Sequence, residues 1–307
     1  MNHFINISDL SKSELRSIID SAKKRKSERG EKPNSQPDMD QPLQGKTVIM
    51  IFEKTSTRTR ISSDLAVRQL GGSSIILNQD EIHYGKGDEC IKDTAKVLSQ
   101  YADILMIRTN SHKNVEEFKK YLDIPIINLL TDSGHPSQVM SDILTFEELK
   151  GNIKGKTIAW IGDGNNVANS LIQAAAKFEF KLKIACPKKY QPDSNIVKSA
   201  KKSNCELLIT DDPYKAATDA DCVMTDKHVS MSDKGDLKKK KKILKKYQVN
   251  KKLMKRGSSD CIFMHCLPAH RGEEVTDGVI DGPWSVVWDE AENRLHAQKG
   301  ILSWCLQ

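Results

Sequence analysis

The sequence has no stretch near the roughly 18 uninterrupted apolar residues that a membrane span needs, and its start, Met1-Asn-His-Phe-Ile-Asn-Ile-Ser-Asp9, lacks the basic and apolar regions of a signal peptide. A cytoplasmic protein with no membrane partner is the expectation. Aromatic residues make up only 6% of the chain, and none interleaves the one strongly basic run, seven lysines between Lys238 and Lys246. Leu237, Ile243, Leu244 and Tyr247 lay a partial apolar stripe across that run, so it reads as a solvated helix face and not as a nucleic-acid surface. Cysteine is present in an odd number, seven, dispersed and without a C-x-x-C pair, in a chain of 307 residues that needs no staples. Reduced thiols are expected. Cys261 and His265 would share a face of one strand but stand about 13 Å apart at ~3.3 Å per residue, too far to chelate one zinc, so no metal is expected.

A dinucleotide fingerprint is also incomplete. Gly162-Asp-Gly-Asn-Asn166 follows an apolar run and opens a helical pattern, yet the third glycine is missing, and Cys186-Pro-Lys-Lys189 stands where an acidic residue would close the next strand. No nicotinamide or other organic cofactor is expected.

What is present is concentrated between Phe52 and Arg60, which read Phe-Glu-Lys-Thr-Ser-Thr-Arg-Thr-Arg directly after the apolar run Thr47-Val-Ile-Met-Ile-Phe52. The run has the length and β-branched content of a buried strand. Ser56 or Thr57 can cap a following helix that carries Ile61, Leu65 and Leu70. Backbone N–H groups at that helix start, the positive end of its dipole, the hydroxyls of Ser56, Thr57 and Thr59, and the forked Arg58 then converge on one point, which suits a phosphate.

Beyond this segment, short apolar runs alternate with helical patterns. Strands are expected at Ser74–Leu77, Ile104–Ile107 and Ile126–Leu129, with helices over Glu89–Tyr101 and Val115–Tyr121. A second series follows at Thr157–Ile161, Leu182–Ala185, Leu207–Thr210, Cys222–Thr225 and Ile262–His265. Such alternation predicts an α/β protein of two doubly wound domains with mostly parallel sheets, whose ligands bind beyond the carboxyl ends of the strands. The switch is placed in the long helix Gln138–Leu149, giving a first domain over residues 1–143 and a second over 144–290, with the active site in the cleft between them.

Five ordered segments carry a resemblance to a known family: Ser56-Thr-Arg-Thr-Arg60, Arg108 in Met106-Ile-Arg-Thr109, His135-Pro-Ser-Gln138, Asp226-Lys-His-Val-Ser-Met231 and His265-Cys-Leu-Pro268. Together they resemble the aspartate/ornithine carbamoyltransferase family, the last two its ornithine branch. The likeness runs from about Phe4 to Trp304.

The resemblance implies transfer of a carbamoyl group from carbamoyl phosphate to the side-chain amine of L-ornithine, giving L-citrulline and phosphate, with putrescine or N-acetylornithine as the alternative amine. It implies that Ser56, Thr57, Arg58, Thr59, Arg108, His135, Gln138, Cys266, Leu267 and Arg294 hold carbamoyl phosphate, with Arg108, His135, Cys266 and Arg294 catalytic. By the same likeness Asn166, Asp226, Ser230 and Met231 hold ornithine, and Asp226 and His265 polarise Cys266 as proton acceptor. It further implies that a C-terminal helix, Ala291 to Trp304 within residues 291–307, packs back on the first domain, that three identical chains form a ring, and that the step serves arginine metabolism. The chain departs from the family pattern at His228, where Trp is common, at Ser232, where Gly is common, and at His83, near a position where a phosphate-binding Gln is often found.

Overall fold

The structure, a computed structural model, describes residues 1–85, 88–229, 233 and 235–307. The chain divides into two compact units, one of Met1–Leu144 with Glu292–Gln307 and one of Thr145–Ala291. One boundary falls inside the helix Pro136–Lys150 and the other inside the helix Val287–Cys305.

The first unit is built on four strands, β1 (Thr47–Phe52), β2 (Ser73–Asn78), β3 (Ile104–Arg108) and β4 (Ile126–Leu130). They form a wholly parallel sheet in the order β2-β1-β3-β4. β1 is buried from Val48 to Phe52, as a central strand covered on both faces must be. Its neighbours β2 and β3 lie on opposite sides, so the crossover direction reverses at β1. A crevice therefore opens where β1 and β3 end side by side, at the paired residues Phe52 and Arg108. The C-terminal helix, Val287–Cys305, buries Ala297, Ile301, Leu302 and Trp304. Gly300 lets it approach the helix Lys12–Arg29: a Cβ there would sit 2.5 Å from the Ile18 carbonyl oxygen. Beside it the fully buried Lys299 bonds Asp38 at 2.6 Å and Gln69 at 3.0 Å.

The second unit has five parallel strands, β5 (Thr157–Ile161), β6 (Lys181–Ala185), β7 (Leu207–Thr210), β8 (Cys222–Thr225) and β9 (Ile262–His265), in the order β7-β6-β5-β8-β9. Here the reversal lies between β5 and β8, and the loops that follow them begin at Gly162 and Asp226.

The nine runs expected as strands are the strands observed. Several helix starts differ from expectation: the helix expected from Glu89 begins two residues later, at Ile91, and three others begin earlier. The helix expected from Val115 begins at His112 because Ser111 caps it, its hydroxyl accepting the Asn114 N–H at 3.3 Å; the helix expected from Gln138 begins at Pro136, and that expected from Ala291 at Val287. The first turns at His112 and Pro136 are largely polar and carry little of the apolar period, so the pattern enters them late. The lysine run also departs from expectation. The helix Leu237–Leu244 is solvated over most of its lysines, but Lys240 is buried at 6% exposure.

Candidate functional site

In the first unit, the residue before the helix Thr57–Gln69 is Ser56, in extended conformation, and its hydroxyl makes no capping bond. The opening amides of the helix are thus not satisfied by the cap, and an anion is their natural partner. Arg58 lies in this first turn, half-buried, and among the described residues its guanidinium is bound to no carboxylate. Thr59 is buried and receives two donors, Arg294 Nη2 at 2.6 Å and Arg108 Nη1 at 3.4 Å. With both lone pairs of Oγ1 taken, the Thr59 proton is left to donate elsewhere.

Arg294 comes from the C-terminal helix and also donates through Nη1 to Gln138 Oε1, while Gln138 Nε2 donates to Asp142 at 2.7 Å. Gln138, expected among the carbamoyl-phosphate residues, thus has its amide oxygen already bonded to Arg294, and the second lone pair of that oxygen is what it could offer a ligand. His135 precedes the helix that carries Gln138 and is buried. Burial, reinforced by the cations of Arg294 and Arg108, holds its pKa well below the usual imidazole value. It is a neutral ring at physiological pH, able to donate a hydrogen bond to a carbonyl oxygen without adding charge. Ser56, Thr57, Arg58, Thr59, Arg108, His135, Gln138 and Arg294 thus all belong to one unit, and direct hydrogen bonds join Thr59, Arg108, Gln138 and Arg294.

Glu53 escaped the sequence reading. Its carboxylate accepts from Tyr84 Oη at 2.8 Å, Thr109 Oγ1 at 2.5 Å and the Asn110 N–H at 3.3 Å, which fixes the loop after β3 against the loop after β1. Its position right after a strand that ends in the Ser-Thr-Arg segment was the available signal. Asp142 carried none beyond being one turn after Gln138.

In the second unit, the residue that caps the helix Asn166–Phe178 is Asn165, whose Oδ1 accepts from the Val167 and Ala168 N–H groups at 3.0 and 3.1 Å. Asn165 Nδ2 then donates to Asp226 Oδ2 at 2.7 Å, and Cys266 Sγ donates to the other oxygen, Oδ1, at 3.1 Å. Asn166, Asp226 and Cys266 are all partly exposed, as a binding surface requires. Ser230 and Met231, together with Ser232, lie outside the described residues.

His265, which the resemblance pairs with Cys266, has both ring nitrogens hydrogen-bonded to other groups. Its Nδ1 accepts the Leu267 N–H at 2.9 Å and its Nε2 faces Glu274 at 3.3 Å, so both ring nitrogens are committed to shaping the turn. That bond holds Leu267 in a left-handed conformation, φ 54°, which a leucine adopts only under constraint. Glu290 holds the same turn by accepting the His265 N–H at 2.7 Å. The sequence reading named neither Glu274 nor Glu290. Asp226, His265 and Cys266 each bring a metal-ligand atom within 4.8 Å of the others, as do His270, Glu273 and Glu274, a proximity that the along-strand spacing of Cys261 and His265 did not anticipate.

His228 is buried against Gly162, and burial lowers its pKa to about 4 despite the nearby Glu274, Glu273 and Asp226. It is an uncharged ring where the family pattern commonly has an indole. No helix among the described residues is long and apolar enough to cross a membrane.

Residues 2–148 match the model of the aspartate/ornithine carbamoyltransferase carbamoyl-P binding domain, and residues 154–305 that of the Asp/Orn binding domain. Over 304 residues, 99% of this chain and 96% of the relative, the sequence is 54% identical to an ornithine carbamoyltransferase of Rhodopseudomonas palustris. It is 52% identical to that of Brucella suis, over 100% of this chain and 96% of the relative. The fold superposes on the ornithine carbamoyltransferase of Pyrococcus furiosus with a TM-score of 0.92 at 44% identity, covering 98% of this chain and 96% of that one. The anabolic enzyme of Campylobacter jejuni gives the same TM-score at 35% identity, covering 99% of each.

Proposed function

The chain belongs to the aspartate/ornithine carbamoyltransferase family, and from that premise we propose that it transfers the carbamoyl group of carbamoyl phosphate to the side-chain amine of L-ornithine, releasing L-citrulline and phosphate. The observation that carries the reading is the shared Thr59 hydroxyl. It gathers Arg108 and Arg294 beside the uncapped helix N-terminus and Arg58, so three guanidiniums serve one small region of the first unit. An anion with a carbonyl attached suits that set.

In the reaction the neutral amine attacks the carbamoyl carbon, the carbonyl oxygen becomes an oxyanion, the carbon–oxygen bond to phosphate breaks, and the nitrogen sheds a proton. Thr59, His135 and Arg294 are assigned to the oxyanion, and Arg58, Arg108 and the helix amides to the phosphate. The side-chain amine, with a solution pKa near ~10, must lose a proton before it can attack; Cys266 is assigned to receive it as its own thiol proton passes to the Asp226 carboxylate to which it already donates. Asn166, Asp226, Ser230 and Met231 are assigned to the α-carboxylate and α-ammonium of ornithine, Leu267 to the carbamoyl group. We assign the protein to the cytoplasm, to arginine biosynthesis and to a homotrimer, in line with the ornithine branch.

The test is colorimetric detection of citrulline from purified protein, with ornithine, putrescine and N-acetylornithine compared side by side. Product from ornithine at a rate at least tenfold above the others is the expected result. Equal use of putrescine would overturn the choice of amine and leave carbamoyl transfer standing.

A further inference from the structure

The lysine run looked like solvated charge, and six of its seven members fit that description. Lys240 does not. Its ammonium is 2.6 Å from Asp163 Oδ2 and 2.7 Å from Asp233 Oδ1, and lies 5.1 Å from the ring centroid of Tyr190. These three partners sit in three different loops, those following β5, β8 and β6. One cation therefore ties together the ends of three neighbouring strands.

The loop that Lys240 grips through Asp163 has little freedom of its own. The Asp163 carbonyl accepts from Trp160 Nε1 at 2.8 Å, and the Gly164 N–H donates to the Tyr190 carbonyl at 2.9 Å. A Cβ on Gly164 would lie 2.3 Å from Pro192 N, so the backbone there is packed to contact. Two residues beyond Asp163, Asn165 bonds Asp226, which bonds Cys266. A continuous path of short contacts thus runs from the buried lysine to the proposed proton acceptor and the proposed ornithine ligands.

From this arrangement we propose that Lys240 is a positioning residue for the amine-substrate half of the site: it sets the loop after β5 against the loop after β8, and so fixes Asn165, Asn166 and Asp226. The proposal rests on the function assigned above. The physical reason is charge balance. Asp163, Asp233 and Asp226 bring three carboxyl groups together, and Lys240 bonds two of them. Burial already raises the Asp163 pKa to about 6 with the ammonium in place, so without it Asp163 tends to protonate, and the two loops lose the bridge between Asp163 and Asp233 that holds them in register. Burial disfavours the charge on Lys240, but the two carboxylates outweigh that and raise its pKa, so the cation persists throughout the working range.

Lys240→Met keeps the apolar stem and removes the charge. The expected result is a Michaelis constant for ornithine raised tenfold or more, with that for carbamoyl phosphate changed less than twofold. Lys240→Arg should restore most of the loss, and Asp163→Asn added to Lys240→Met should restore part, because a neutral amide is cheaper to bury there than a carboxyl that has lost its cation. Lys242→Met, on the exposed face of the same helix, should change nothing. A second readout needs no turnover: alkylation of Cys266 by iodoacetamide, followed by peptide mass. Displacing Asp226 takes a negative charge away from the thiol, so Lys240→Met should alkylate at Cys266 at least threefold faster than the unmodified protein. If the unmodified protein makes no citrulline and this acceleration is still seen, the functional reading falls and the positioning role stands. If citrulline forms normally while Lys240→Met changes neither the ornithine Michaelis constant nor the alkylation rate, or raises both Michaelis constants equally, the positioning role is overturned.

Discussion

Replacing Arg294 with Met separates a structural from a catalytic role in a single variant. The guanidinium donates to Thr59 Oγ1 at 2.6 Å and to Gln138 Oε1, and both acceptors are 1% exposed, so neither can turn to water when the donor goes. Two charge-assisted bonds at about 1.5–3 kcal/mol each give a gross loss of roughly 3–6 kcal/mol. Part is offset because a buried guanidinium no longer has to be desolvated, leaving a net loss of about 2–4 kcal/mol. The first unit holds about 160 residues, so its unfolding entropy is near 0.3 kcal/mol per kelvin and the loss appears as a fall of roughly 6–12 °C in its melting temperature. Calorimetry on the full chain, with and without a saturating phosphate analogue, measures it. In the same variant, loss of an oxyanion donor should cut kcat by about 10²–10³. Thr59→Val, which deletes one acceptor and keeps the volume, should give a smaller fall, and the double variant should fall short of the sum by about 1 kcal/mol. A melting temperature within 1 °C of the parent, together with near-normal turnover, would refute the network as described.

Arg58→Ala removes a charged fork from the proposed phosphate site and should cost roughly 3 kcal/mol in the transition state, on the order of a hundredfold in turnover, with Arg58→Lys restoring little because an ammonium is not bidentate; near-normal activity in the alanine variant ends the assignment. Cys266→Ser should fold normally, lose turnover and shift the alkaline limb of the rate profile, whereas unchanged turnover with only a raised Michaelis constant makes Cys266 a binding residue. His228 has a pKa near 4 when folded and about 6.5 when unfolded, so below pH 6.5 the unfolded chain takes up a proton that the folded chain refuses; stability is constant above that value and falls as pH drops toward 4. His228→Gln should abolish that contribution, about 3 kcal/mol at pH 4, and denaturation curves of equal slope against pH for the two proteins would contradict it. Ornithine should be preferred over putrescine by at least tenfold, and the preference should collapse in Asn166→Ala as the carboxylate loses its partner at the helix start; retained discrimination would place that partner elsewhere.

The strands were legible in the sequence because their signal is local. Each is a short apolar run, and the alternation of runs with helical periods admits little other than parallel sheets with crossover helices. The Ser56–Arg60 segment, to which the phosphate is assigned, stood out for the same reason, since strand end and helix start lie within a few residues of one another. Tertiary structure decided the pairings that run across the chain. Arg294 meets Thr59 from 235 residues away, and Lys240 meets Asp163 from 77. Helical spacing puts Lys240 on the same face as Leu237, Leu244 and Tyr247, but nothing in the sequence says that Asp163 and Asp233 wait for its ammonium there. The same holds for His265: beside Cys266 in the sequence it looked like a proton partner, and only the fold shows Glu274 and the Leu267 N–H claiming its two nitrogens. A buried polar atom must find a partner wherever the fold provides one. The sequence therefore named groups suited to the proposed chemistry, and the tertiary structure determined which of them hold the others in place.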